Sequence, residues 1–173
     1  MLENLLSSPD IPKKELVLKR NEFLIREGDL NTNLYFIKEG AILAYVMEEE
    51  EEQIIRFGYK NDFISAIDSF ISGKPTQFFF KAVKKTFLIQ ISKSSLIKMI
   101  SGNIELMSEW AELLQKLSLQ QLERERDLLT SSPKARYERV LKRSPQLFQE
   151  IPHRYIANYL RMSPETLSRL KNS

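Results

Sequence analysis

Between Glu15 and Ile91 the chain places a short apolar run about every ten residues, with turn-forming residues between one run and the next. The runs read ELVLKR, EFLIREG, LYFIKEG, AILAYVME, EQIIRFG, DFISA, QFFFKAV and TFLIQIS. Several alternate, and β-branched and aromatic residues are frequent, as a half-buried pleated surface requires. Arg20-Asn21, Gly28-Asp29, Gly40, Lys60-Asn61-Asp62 and Gly73-Lys74-Pro75 supply the turn chemistry. Short strands at this spacing predict an antiparallel sandwich or barrel. The five consecutive acids Glu48 to Glu52 repel one another, so an exposed hairpin tip is favoured for them over a metal or partner site.

After Ser92 the period changes. Ser94 to about Met99 reads as a short helix. Ile104, Met107, Trp110 or Ala111, Leu114, Leu117 and Leu122 then recur at steps of three and four, which predicts an amphipathic helix from Asn103 to Leu129. Leu106, Leu113, Leu119 and Leu128 widen its apolar surface beyond one stripe. One stripe can cover the β region while the other pairs with a second copy, for which Ile104, Met107, Trp110, Leu114 and Leu117 are the candidates. The alternative is a single stripe buried on its own domain, with the second left wet and Trp110 a packing residue. Ser131-Ser132-Pro133 ends the helix and starts another, with Ser132 as N-cap and Pro133 at the first helical position. A hinge is expected there, a helix from Lys134 to about Lys142, and then the connector RSPQLFQEIP. The chain thus reads as α+β in three segments. Residues 1–101 form an antiparallel β-roll of the jelly-roll or double-stranded β-helix kind, 102–130 a connecting helix, and 131–173 a small helical domain.

Composition removes whole classes of chemistry. The chain has no Cys and one His, His153, so disulfides, Cys-ligated zinc, iron–sulfur clusters and Cys nucleophiles are excluded and a His-based metal or haem site is disfavoured. No basic segment followed by an apolar run opens the chain, and no run is long enough to span a bilayer. A cytoplasmic location is expected, with no membrane partner. No nucleophile–base pair, glycine-rich phosphate loop or metal cluster is present to suggest an enzyme. Charge is uneven: from Ser131 to Ser173 there are nine Lys or Arg against three acids, a net of +6, which leaves 3 − 6 = −3 for the rest. A basic tail on an acidic body points to a polyanion as partner.

The segment IPHRYIANYLRMSPETLSRL, Ile151 to Leu170, gives that tail a shape. Ala157 is the small residue that lets two helices approach closely. Ile156 and Leu160 face inward from the first helix, Met162 fills the turn, and Leu167 and Leu170 face inward from the second. Ser163 is an N-cap, Pro164 opens the second helix, and Glu165 lies in its first turn near the positive end of the dipole. The pattern predicts a helix-turn-helix, whose second helix, 164–171, enters the major groove of duplex DNA. Arg169 can take guanine bidentately and Glu165 can accept from a cytosine amino group. Ser163, Thr166 and Ser168 lie on or beside the exposed face, and Arg154, Arg161 and Lys171 supply charge for phosphates. Arg161 stands at a turn position that favours Gly, because the residue there takes positive φ.

A β-roll, a long connecting helix and a C-terminal helix-turn-helix together resemble the Crp/Fnr family of bacterial transcription regulators, over nearly the whole chain. NEFLIREGDLNTNLYFIKEGAI is similar to the family's cyclic-nucleotide-binding roll, and SPETLSR to its recognition helix, in which the Glu and the Arg four residues later read bases. Those map to Glu165 and Arg169. The whole tail looks like that of short-tailed members common in Bacteroidetes. The resemblance implies a homodimer that reads a pseudo-palindrome, with RNA polymerase as a further partner. Many relatives add a β-hairpin wing after the second helix, and a chain ending at Ser173 would draw its affinity from two helices and the basic residues alone.

The ligand loop departs from the family's pattern. Cyclic-nucleotide binders have a Gly-Glu pair for the ribose and, further on, an Arg-Ser or Arg-Thr pair for the cyclic phosphate. Ser65-Ala66 stands in place of the first, and Thr76-Gln77 near the second. No Arg lies between Arg56 and Arg124, and Lys74 is a point charge rather than a fork. Each lost charge-assisted bond is worth roughly 1.5–3 kcal/mol, so cAMP and cGMP are not expected as ligands and no cofactor is expected. An effector of another kind would use a pocket near Phe63, Ser65, Ala66, Lys74, Thr76, Gln77 and Phe78, with Phe70 and Phe80 close by. The plainer reading of those Phe residues is core. The leading functional reading is a DNA-binding regulator, and the alternative is a sensor or scaffold module that kept the fold and does not bind DNA.

Overall fold

The computed structural model describes Leu6 and residues 12–172. The opening residues, on which the expectation of no secretory signal rests, and Ser173 lie outside the described residues. Each of the eight apolar runs forms a strand: β1 (Lys13–Leu18), β2 (Phe23–Ile25), β3 (Leu34–Glu39), β4 (Ala41–Glu48), β5 (Glu51–Tyr59), β6 (Phe63–Ile64), β7 (Phe79–Ala82) and β8 (Thr86–Ile91). They make two four-stranded antiparallel sheets, ordered β1-β8-β3-β6 and β2-β7-β4-β5. The fold is α+β, as the sequence pattern implies. Gly40 joins β3 to β4 at φ 99°, where a Cβ would sit 2.4 Å from the Thr86 Oγ1 of β8, so only Gly fits. The β4–β5 hairpin turns on Glu49 and Glu50, which puts the acidic run at an exposed tip.

Between the sheets lies one apolar cluster that includes Leu18, Ile25, Ile37, Ile42, Phe80 and Leu88. Strand β4 is buried on both faces. Ile42 and Ala44 belong to that inner cluster, whereas Ala41, Leu43 and Tyr45 belong to a second one on the outer side. A strand covered on both faces needs a continuous apolar run, which AILAYV provides. The outer cover is the C-terminal helical region, through Tyr137, Val140, Leu147, Ile151, Ile156 and Leu160. Each such side chain contributes roughly 1.5–3 kcal/mol when fully buried, so the two parts of the chain share one core.

Seven helices complete the described chain: α1 (Ile67–Ser72), α2 (Lys93–Ile100), α3 (Ile104–Leu129), α4 (Pro133–Arg143), α5 (Pro145–Glu150), α6 (His153–Tyr159) and α7 (Pro164–Lys171). The short α1 lies within the segment read from sequence only as a ligand loop, and α5 within the one read as a connector. Helix α3 is 26 residues long, about 39 Å, and Asn103 Oδ1 caps it by accepting from Glu105 and Leu106. Its inner side repeats every three or four residues. Leu106, Trp110, Leu113 and Leu117 cover a cluster with Leu34, Phe70, Ile91 and Leu96. Gln120, Arg124 and Asp127 continue the same line along the helix. Its other side leaves Ile104, Met107, Leu114, Leu122 and Leu129 exposed. The stripe expected to pair with a second copy therefore divides. Ile104, Met107 and Leu114 are open to solvent, while Trp110 and Leu117 pack on their own β-roll because they fall in the inner register.

Candidate nucleic-acid interface

Helices α6 and α7 are joined by Leu160 to Ser163 and pack on each other through Ile156, Ala157, Leu160 and Leu167, none more than 1 % exposed. Ser163 Oγ accepts from the Thr166 amide at 3.2 Å, which caps α7 and leaves that hydroxyl a structural task rather than a free contact. Arg161 takes φ 53° in the turn. That left-handed backbone costs roughly 1–2 kcal/mol for a residue with a Cβ, and the carbonyls around it are held from outside. Arg136 of α4, itself buried, donates from Nε to Leu160 O at 2.5 Å and from Nη2 to Arg161 O at 3.0 Å.

The outer face of α7 presents Pro164, Glu165, Ser168 and Arg169 to solvent around one shallow hollow. Arg169 Nη2 lies 3.4 Å from Thr166 Oγ1. The Glu165 carboxyl is held below its usual range, first by its own backbone amide in the first turn of α7 and then by the Ser163 hydroxyl. It therefore stays ionised and acceptor-only, the state needed to take a base amino group. Arg154 sits exposed over the Tyr155 ring and donates to its hydroxyl at 2.8 Å. Arg161 and Lys171 are exposed.

The +6 excess of the tail is not all surface charge. Arg139 and Arg143 pair with Glu123 and with the fully buried Asp127, at 2.5–3.4 Å, and so brace the elbow between α3 and α4. With Arg136 bound to carbonyls, three of the nine cations serve the fold. Lys134, Lys142, Arg154, Arg161, Arg169 and Lys171 are exposed and take no part in those contacts.

The helical pair is docked on the β-roll through Asn158. Its Oδ1 accepts from Ile54 N at 2.9 Å and its Nδ2 donates to Glu52 O at 2.7 Å, so a side-chain amide pairs with the free edge of β5 as another strand would. Arg124 of α3 completes the junction, with Nη2 donating to Ile54 O at 3.2 Å and its guanidinium 3.7 Å from the centre of the Tyr159 ring. Arg136, Asn158 and Arg124 went unread in the sequence, because a buried Arg or an edge-capping Asn leaves no periodic signal.

The seven candidates for an effector pocket are dispersed. Ser65 Oγ donates to Asn33 O at 2.9 Å, Ala66 is enclosed in the inner cluster, and Phe78 packs on that cluster. Phe63 is buried beside Phe36, while Lys74 and Gln77 are exposed. Phe70 and Phe80 lie in two different core clusters. Thr76 Oγ1 lies 2.9 Å from both Asp68 carboxylate oxygens, and Gln77 N donates to Asp68 Oδ2 at 3.0 Å.

Over residues 15–103 the sequence matches the cyclic nucleotide-binding domain, more than half of the chain. The chain belongs to the cyclic nucleotide-binding domain family. Sequence comparison with curated proteins finds no significant match. Among solved structures the fold is similar to FixK2 from Bradyrhizobium japonicum, at 18% identity and TM-score 0.77 over 94% of this chain and 84% of that one. It is similar to a CooA mutant from Carboxydothermus hydrogenoformans at 16% identity and TM-score 0.78, over 99% and 82%. A third is the c-di-GMP responsive global regulator CLP of Xanthomonas campestris, at 14% identity and TM-score 0.66, over 92% and 85%. These likenesses give the chain the Crp/Fnr fold.

A cyclic nucleotide does not fit the residues of this member's loop. The donors at Thr76 and Gln77 are already taken by an internal carboxylate, Asp68, which would repel a phosphate. The ribose position has no carboxylate, since Ala66 stands there with 0 % exposure.

Proposed function

We propose that the protein is a homodimeric DNA-binding transcription regulator of the Crp/Fnr type, with no catalytic activity of its own. Helix α7 enters the major groove; Glu165 and Arg169 read base edges, and Arg154, Arg161, Thr166, Ser168 and Lys171 contact or approach the backbone. The observation that supports this most is the exposed Glu165–Ser168–Arg169 face on a helix pair whose turn Arg136 fixes. CLP, of similar fold, is described as a regulator linked to gene expression. Pairing of two copies along α3 uses Ile104, Met107 and Leu114, and the exposed Leu122 and Leu129 extend that stripe toward the elbow. Two α7 helices then face one side and read a pseudo-palindromic site. The segment boundaries near residues 101 and 130 separate sensing, pairing and reading, the cytoplasm is the compartment, and RNA polymerase is a protein partner.

The test is selection of duplexes from a random pool by the purified protein, with its mass measured by sedimentation. Recovery of a two-fold symmetric sequence by a dimer is the expected result. A monomer that binds all duplexes alike, or none, would leave the chain as a sensor module.

A further inference from the structure

A cleft of about 90 Å³ opens between the β5–β6 turn and α3, away from the Asp68 loop. Its apolar lining is Phe63, Leu113 and Leu117, beside the polar Asn61 and Gln120. Two cations border it, Arg56 from β5 and Lys116 from α3, against a single acid, Asp62, for a net of +1. Asp62 is engaged, since its Oδ2 accepts from Tyr59 N at 3.0 Å. Arg56 donates once, from Nη2 to Gln120 Oε1 at 2.8 Å, and forms no ion pair among the described residues. A guanidinium has five N–H donors, so most of this fork has no protein partner. Burial lowers the Arg56 pKa, and the charge of nearby Asp62 offsets only part of that. Lys116 likewise forms no ion pair among the described residues. It projects from the opposite side of α3 to Ser118 and Leu114, so pairing of two copies along the outer stripe leaves it free.

We propose that this cleft is a binding site for a short-chain monocarboxylate, held by Arg56 and Lys116 at its head and by Phe63, Leu113 and Leu117 along its tail. The planar fork of Arg suits a carboxylate, which it can bind through two parallel bonds. A net charge of +1 matches one negative charge. The volume admits only a few non-hydrogen atoms, far fewer than a nucleotide has. The site joins β5 to α3, one to two turns before Arg124, and so bridges the β-roll and the helix that leads to the DNA-reading part. The inference is independent of DNA binding, because its test contains no DNA.

The full-length protein, labelled at leucine methyl groups, would be titrated with propionate and then butyrate at constant ionic strength, with inorganic phosphate as a second probe. Saturable shifts confined to Leu113 and Leu117 are expected, with a roughly millimolar dissociation constant for so small a ligand. Arg56→Gln should weaken binding about tenfold or more, and Lys116→Gln about threefold. Shifts linear in ligand, the same constant in both variants, or phosphate binding as tightly as propionate would each overturn the proposal. Lys116 is exposed, so its variant decides the matter if Arg56→Gln loses cooperative unfolding.

Discussion

Arg136 joins the end of the long helix to the turn between α6 and α7: its Nη1 donates to Thr130 O at 2.5 Å, its Nε to Leu160 O at 2.5 Å and its Nη2 to Arg161 O at 3.0 Å. One planar group thus holds three carbonyls at fixed spacing, around a residue in the left-handed region. An ammonium is a single point and cannot reproduce the fork. Arg136→Lys is expected to lose about 2 kcal/mol and Arg136→Met about 3 kcal/mol, as buried carbonyls lose their donors. Denaturant unfolding at neutral pH measures both. A loss below 0.5 kcal/mol in Arg136→Met would show that water replaces the guanidinium.

The Asn158 contact predicts a local effect. Asn158→Ala removes both bonds to β5, at about 2 kcal/mol. Asn158→Asp is expected to be worse, because an acceptor-only side chain would face the Glu52 carbonyl that Nδ2 now satisfies. The Ile54 amide reports the change directly through hydrogen exchange. It should exchange at least tenfold faster in either variant, while amides paired within the β1–β8 ladder stay protected.

These two contacts mark where the sequence stops being legible. All eight strands could be read because each is a short apolar run bounded by its own turn, and α3 and α7 because their caps and periods are local. Ala157, Ile156 and Leu167 could be placed inside because the helix pair dictates its own interior. What closes over β4 is not local. The run AILAYV marks a strand, but not that the C-terminal helices cover its outer face. Trp110 and Leu117 illustrate the same limit. On a helix with two apolar stripes, period alone does not say which stripe meets the β-roll. The pairing of Asp68 with Thr76 and Gln77, eight and nine residues on, leaves no periodic signal either.

Alkaline pH should weaken the fold through Tyr45. Burial first, then the charge and hydrogen bond of Glu52, push its phenol up to about 12. Burial moves Tyr59 in the same direction. The fold thus favours the neutral phenol. That stability is complete below about pH 10, the ordinary phenol value, and is lost as pH rises through the folded value. For Tyr45 the loss is on the order of 2 kcal/mol between about pH 10 and the folded value. Tyr45→Phe should lose the Glu52 bond at neutral pH and show a shallower decline above pH 10. Parallel stability curves for the two proteins across that range would remove Tyr45 as the cause.

The acidic hairpin is expected to tolerate, and gain from, substitution. Glu49 and Glu50 take φ 47° and 66°, a two-residue turn that prefers Asn-Gly. Glu48 and Glu51 face each other across it, a like-charge pair. The double change Glu49→Asn with Glu50→Gly should stabilise the protein by about 1 kcal/mol, from relief of left-handed strain and of charge. Thermal unfolding checks this, and an unchanged or lower midpoint would show that the turn residues carry no strain.

Two exposed cations of α7 should separate readout from simple attraction. Arg169 lies on the outward face with Glu165 and Ser168, and so is placed for base edges, whereas Lys171 lies at the helix end and is placed for phosphate. On the selected duplex, Arg169→Ala is expected to cost about 1–3 kcal/mol and to relax preference at one base pair of each half-site, with little effect on unrelated DNA. Lys171→Ala should weaken binding to every sequence by a similar factor and reduce the slope of log affinity against log salt by about one. Titrations on matched specific and unrelated duplexes at several salt concentrations give both quantities. Equal loss on the two duplexes for Arg169→Ala would move it to the phosphate-contacting set and leave Glu165 as the base-reading residue of α7.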